Sequence, residues 1–488
     1  MANSTKPDAK ILSLANGKEA QLVGLLSSLS EELACQLAEA LERDRLMGGS
    51  GLPFEAIMKG LRPKLRLQNP LTRRRIPTPE RAFFDVIEGL IIDDHGEDKQ
   101  QGRIARRSLD PLWRWLIATA GDKLQPVIAD VTQSILKGSG DQIRQSLAQL
   151  DVIAGETIRA ALKKSESNNK YTKELAAALG GARAVDDARE LSRILQIGDD
   201  IRALHQALPA LIDSEAEEQF DLIRQTYDRV VEKFPAGAPY IVLTLAQRVT
   251  HPWELFGIAA RLVQAENDQN LKQSDLAMVG EWLVLDLEIE AASLKNLKVA
   301  NFDPQRADEI LRRFAMLQSG MTHEVGMRKD GTWGKRLLKA RGAVSEGLEA
   351  LFAGIIQELR AGLAMTKAAS GARTGALVPV LDGPPDGAAI ARLEAIVQFL
   401  ATARRFANQL GYSVAFDKTK NEVTSYLEEF ASGVVSFLPT AKNGERERAL
   451  AWADVLPRIA APMFSEEAVK ILNRRIAAAS VDQLQAKA

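Results

Sequence analysis

Residues 214–234 read SEAEEQFDLIRQTYDRVVEKF and are followed by Pro235. Ile223, Tyr227, Val230 and Phe234 recur every three or four positions, a spacing that puts them on one face of an α-helix. Ser214 and Glu217 have the spacing of a capping box, in which a hydroxyl and a carboxylate satisfy the free N–H groups of a first turn. Pro235 has no N–H to continue the ladder and marks the stop. The same grammar returns along the chain. Leu276, Val279, Leu283 and Leu287 form one stripe, and Leu348, Phe352, Ile355 and Leu359 another. Val423, Leu427, Phe430 and Val434 form a third, closed by Pro439. No segment alternates convincingly in the two-residue period of a strand. The expected fold is all-α: an irregular multi-helix array or bundle with a smaller C-terminal helical bundle.

Near the start, a helix is expected over 29–47, with Ser28 and Glu31 as its capping box and Leu33, Leu37 and Leu41 as its apolar stripe. Ser108 reads as the cap of a helix that contains Trp113 and Leu116 and ends near Gly121, with a separate helix over 123–136. Nothing recurs at the fixed 34- or 40-residue period of a regular solenoid.

Between these patterns lie two stretches of different composition. In 61–107, Pro63, Pro70, Pro77 and Pro79 oppose a long helix, and the charge runs basic, acidic, basic. Arg62, Lys64, Arg66, Arg73, Arg74 and Arg75 come first. Acids follow from Glu80 to Asp98, and then Lys99, Arg103, Arg106 and Arg107. Residues 365–388 read MTKAASGARTGALVPVLDGPPDGA, a composition of linkers and exposed loops. The expected organisation is an N-terminal helical region (1–60), the basic–acidic–basic segment (61–107), a central helical domain (108–364), a flexible linker or loop (365–388) and a C-terminal helical bundle (389–488).

At 488 residues the chain exceeds one ordinary core. With 46% hydrophobic and 26% charged residues it has the makeup of a soluble globular protein. A formal net charge of -1 gives no overall field to draw nucleic acid or anionic lipid, so such contact would need a local patch. Cys35 is the single cysteine, which excludes an intramolecular disulfide and cysteine-rich zinc sites. No apolar run has the roughly 20 residues of a membrane span. These features lead to the expectation of a cytoplasmic protein without a transmembrane segment.

Chemistry-bearing patterns are sparse. His95, His205, His251 and His323 show no metal-binding spacing, and there is no nucleophile elbow. Cys35 has Glu31, Glu32 and Glu39 for neighbours, which disfavour a thiolate. The glycines of 326–335 lack phosphate-loop spacing. No cofactor, metal or catalytic residue is indicated.

Two basic segments remain. Arg73, Arg74 and Arg75 present guanidinium forks suited to phosphates. Lys335 and Arg336 fall in the first turn of a helix expected to start near Thr332, where cations oppose the helix dipole and a bound anion would reverse the sign. These five are the candidate anion-binding residues, with Trp333 as a stacking surface. The competing expectation is that internal acids neutralise both segments.

The function expected is therefore that of a non-catalytic cytoplasmic helical interaction or scaffold protein whose partner is another protein. One alternative is an anion-contacting module that binds nucleic acid or anionic membrane phosphates through 62–75 and 328–341. The other is a helical enzyme with a dispersed site. An enzyme predicts a pocket with convergent acids, bases or histidines. A phosphate binder predicts convergence of the two basic segments. A scaffold predicts an exposed groove between helices.

Overall fold

The helical periodicity is realised nearly throughout. The computed structural model describes residues 78–481 apart from 97, 300, 301, 325, 368–376 and 443, together with 22, 25, 26, 29–47, 54, 57, 58, 60 and 61. The fold is all-α. Strand pairing among the described residues is confined to two minimal ladders, Ile91–Ile92 parallel to Ile104–Ala105, and Met365–Lys367 antiparallel to Leu377–Pro379. None of the described helices is long and apolar enough to cross a membrane. The chain divides into two compact units. The first comprises residues 1–264 and 272–279, the second residues 265–271 and 280–488.

In the first unit, helix Arg106–Lys137 turns back into helix Gly140–Ser167. The latter buries Leu147, Leu150, Ala154 and Ile158, a stripe of three- and four-residue steps. Full burial of each such leucine or isoleucine contributes roughly 1.5–3 kcal/mol. Helices Asn169–Leu179, Ala182–Ile194, Gly198–Ala207 and Glu217–Lys233 come next, then Ala238–Leu243 and Glu254–Val263. Ile223, Tyr227 and Val230 are buried as their spacing requires.

The second unit contains helices Pro304–Glu324, Thr332–Gly362, Gly387–Ala403, Ser413–Phe437, Gly444–Ala460 and Glu466–Ser480. The stripes Leu348–Phe352–Ile355–Leu359 and Val423–Leu427–Phe430–Val434 are buried. The described ends of 365–388 form the Met365–Lys367 ladder, and helix Gly444–Ala460 holds the backbone on its C-terminal side. Arg448 Nε donates to Leu381 O at 3.1 Å, and Trp452 Nε1 donates to Gly383 O at 3.0 Å.

Local details differ from the sequence pattern at four points. Helix Glu217–Lys233 starts after Ala216 with no side-chain cap, so Ser214 is not its N-cap. The first long helix is Glu31–Leu46, capped by Ser30, whose hydroxyl accepts from Leu33 N at 3.3 Å. Ser28 lies outside the described residues. The buried face of that helix is Ala34, Ala38 and Leu41, and Leu33 is 54% exposed. The small core it enters is completed by Met58 and Leu61, and that docking sets the rotation of the helix. The expected break near Gly121 is a kink inside one helix, Arg106–Lys137, with Ala120 at φ −126° and ψ 24°. Pro126 supplies no N–H to the carbonyl of Asp122 just beyond the kink.

Candidate functional site

Helix Ala182–Ile194 turns two acids, Asp187 and Glu190, into the interior of the first unit. An unpaired buried carboxylate costs several kcal/mol, so each must be fully bonded. The partners come from the second basic group and its surroundings. Asp187 Oδ1 faces His95 Nε2 at 2.7 Å and Lys99 Nζ at 3.2 Å. Its Oδ2 accepts from Ser108 Oγ at 2.6 Å and Ala105 N at 3.2 Å. Glu190 accepts from Gly102 N at 2.6 Å, Tyr240 Oη at 2.9 Å and Lys99 Nζ at 2.5 Å. Ser108 is therefore not a helix cap: its hydroxyl serves Asp187. Nearby, Arg107 pairs with Asp94 at 2.8 Å and Arg106 with Asp93 at 3.8 Å. Of the basic–acidic–basic segment 61–107, Lys99, Arg106 and Arg107 of the second basic group thus pair with internal acids, while the first basic group, 62–75, lies outside the described residues.

The candidate anion residues fall in two groups. Arg73, Arg74 and Arg75 lie outside the described residues. Lys335 and Arg336 lie in the first turn of helix Thr332–Gly362, which has no side-chain cap at Gly331. Lys335 is exposed. Arg336 donates from Nε and Nη2 to both oxygens of Glu288, at 2.8 and 2.7 Å, and from Nη1 to Glu281. Its pKa is raised above the usual arginine range by those hydrogen bonds, Glu288 foremost. Trp333 is fully buried, its Nε1 donating to Glu281 Oε1 at 2.7 Å, and it offers no face to a base. The indole packs so closely on Gly280 that a Cβ there would collide with the ring.

A second arrangement has no counterpart in any sequence motif. A cleft of about 1230 Å³ opens in the first unit. Its apolar wall includes Phe84, Leu109, Trp113, Ile128, Ile143 and Leu147. Trp113 is held by Phe83 and Phe84, with ring centroids 5.4 and 6.2 Å away.

Arginines from several parts of the chain line the same cleft, and four of them have carboxylate partners, Arg106 with Asp93 among them. Arg81 pairs with buried Glu42 at 2.5 Å, and Arg144 with Asp199 at 3.7 Å. Arg202 forks onto both oxygens of buried Asp151 and reaches Phe83 O at 3.3 Å. Gly198 makes room for this pair, because a Cβ at that position would overlap Asp151 Oδ2. Burial pushes the Asp151 carboxyl up to about 6 against the opposing charge of Arg202.

Arg248 is different. Its Nη1 donates to the carbonyls of His205, Leu208 and Pro209 at 2.9, 3.4 and 3.2 Å. Among the described residues no carboxylate lies within ion-pair distance of it. Burial lowers its pKa, opposed by the charge of Asp85. Asp85, also on the cleft wall, makes no side-chain hydrogen bond or ion pair among the described residues. Desolvation raises its pKa, opposed by Arg202 and Arg248. His205 completes the group. Burial first, then Arg248 and Arg202, push its imidazole down to about 3, so it is neutral at physiological pH. Among the described residues, His205 Nε2 and Arg202 Nε are buried without a hydrogen-bond partner.

These residues come from helix Gly198–Ala207, the 3₁₀ turn Asp85–Leu90 and the residue after the turn Thr244–Gln247. Arg202 and His205 stand three apart on one helix, but positions 85 and 248 have no spacing relation to them that sequence reasoning could use. The only signal in the chain was the presence of His205 among four scattered histidines. No protein-family model, curated protein or solved structure matches the chain.

Proposed function

We propose that the protein is a cytoplasmic helical interaction protein that receives a segment of a partner protein in the cleft of its first unit. The observation that carries this reading is the cleft itself, about 1230 Å³ with an apolar wall beside arginines. A concave, largely preformed surface of mixed apolar and fixed polar groups is the usual form of a binding site. The engagement of Arg336 by Glu281 and Glu288 favours this reading over phosphate contact through 328–341.

The test is comparative affinity purification of the full chain and of Ile143→Glu, which puts a charge on the apolar wall. Protein and nucleic acid are both quantified in the eluates. A stoichiometric protein partner that is retained by the wild type and lost by the variant supports the reading. A partner indifferent to Ile143→Glu, or a co-purifying nucleic acid in place of a protein, removes it.

A further inference from the structure

We infer that the cleft holds a carboxylate subsite, in which Arg248, flanked by Arg202 and His205, takes the carboxylate of an apolar acidic segment in place of Asp85. This rests on the reading of the cleft as the partner site and names the chemistry that the partner presents there.

Three observations converge. First, Arg248 lines the cleft with no carboxylate at ion-pair distance among the described residues, and its Nη1 is anchored on three backbone carbonyls. Those bonds fix the guanidinium without neutralising it, so its orientation is set before a ligand arrives. Second, the neighbouring groups do not answer that cation: among the described residues Arg202, itself 8% exposed, is turned onto Asp151, and the His205 imidazole, pushed down to about 3 by burial, is neutral.

Third, the resident carboxylate on the cleft wall leaves Arg248 unmet. Asp85 is a carboxylate in the fields of Arg202 and Arg248, yet it bonds to neither. Its charge is matched at a distance, and a ligand carboxylate that reaches the planar fork directly has the better geometry. The adjoining apolar wall of Leu109, Trp113, Ile143 and Leu147 selects an acid on an apolar stem over a free hydrophilic anion.

The probe is sodium hexanoate, which has a carboxylate and an apolar chain and nothing else. Hexanamide and hexyl phosphate are run beside it, by isothermal titration with the full chain at low ionic strength. Hexanoate should bind and hexanamide should not. Asp85→Asn should tighten hexanoate binding, because the internal competitor for Arg248 is removed. Arg248→Gln should weaken it by at least about tenfold, the loss of one charge-assisted hydrogen bond. Arg248→Gln is checked for native helix content, and the gain expected from Asp85→Asn is an effect that misfolding does not produce.

Equal affinity for hexanoate in all three proteins overturns the subsite, as does equal binding of hexanamide or no saturation by hexanoate. Tighter binding of hexyl phosphate overturns the carboxylate assignment. If hexanoate binding fails while Ile143→Glu still abolishes partner capture, the subsite falls and the partner cleft stands. If hexanoate binds through Arg248 while capture ignores Ile143→Glu, the subsite stands without that partner.

Discussion

His95 Nε2 lies 2.7 Å from Asp187 Oδ1, and both side chains are fully withdrawn from solvent. Gln100 N donates to His95 Nδ1 at 3.3 Å, so Nδ1 is the acceptor and the ring proton sits on Nε2. The imidazole is thereby assigned as neutral, and it donates to the carboxylate. With Lys99, Ser108 and the Ala105 amide, it makes Asp187 the point at which residues 91–108 are fastened to helix Ala182–Ile194.

Asp187→Ala should therefore destabilise the protein by about 3–5 kcal/mol, the range for breaking a buried pair and stranding its partners. Urea unfolding reads the loss, and hydrogen exchange should show the Ala105 amide opening first. A change under about 1 kcal/mol would mean that solvent or a rearranged side chain replaces the carboxylate without cost.

The pH dependence of stability should carry two opposed contributions. His205 titrates at about 3 in the fold against about 6.5 when unfolded. Its contribution is complete above about 6.5 and is lost as pH falls toward 3. Asp151 titrates at about 6 in the fold against 3.8 when unfolded. Its contribution is complete below 3.8 and is lost as pH rises through 6. From about pH 4 to 6 the two slopes cancel, because the unfolded chain holds the His205 proton and the folded chain the Asp151 proton. His205→Gln should expose the Asp151 slope, a fall in stability with rising pH of up to about 1.4 kcal/mol per unit. Urea titrations of wild type and variant at pH 4, 5 and 6 measure it, and identical slopes in the two proteins would contradict it.

Two glycines in helices should respond to alanine in opposite directions. Gly342 has open space around its Cβ direction, so Gly342→Ala should raise stability by up to about 1 kcal/mol through helix propensity. At Gly198 the added methyl overlaps Asp151 Oδ2 and disturbs the bidentate pair with Arg202. Gly198→Ala should therefore lower stability by about 1–3 kcal/mol, the usual cost of overpacking. Thermal unfolding of the two single variants decides the signs.

The Arg336–Glu288 pair should show coupling in a double-mutant cycle of about 1 kcal/mol, the upper end for pairs with partial exposure and fork geometry. Lys335→Ala, on the exposed side of the same turn, should fall within about 0.5 kcal/mol of wild type. Zero coupling at Arg336, measured at low salt, would show that its charge is free for an external anion.

The all-α class was legible from the sequence because helical periodicity is local. Leu276, Val279, Leu283 and Leu287 are all buried as their spacing requires, and so are Val423, Leu427, Phe430 and Val434. Each stripe lies within a few turns of one helix, and any packing partner must bury the same face. Details that depend on which neighbour packs against an element were not legible in this way. The hydroxyl of Ser108 is drawn to Asp187, 79 residues away, and the buried stripe of Glu31–Leu46 is rotated onto Ala34 and Ala38 by a core that includes Met58 and Leu61.

The candidate site lies wholly on the tertiary side of that line. Lys335 and Arg336 occupy the first turn of a helix as the local pattern implies, but the two glutamates that take up Arg336 stand 48 and 55 residues away. Arg202 and His205 share one helix at i,i+3 spacing, but Asp85 and Arg248 join them only when three separate elements close around the cleft. Apolar spacing sets which face of a helix turns inward, since the free energy of burial grows with each residue added to the stripe. Which charges meet inside is set by the packing of whole elements, because a buried charge is tolerated only where the finished fold supplies its partner.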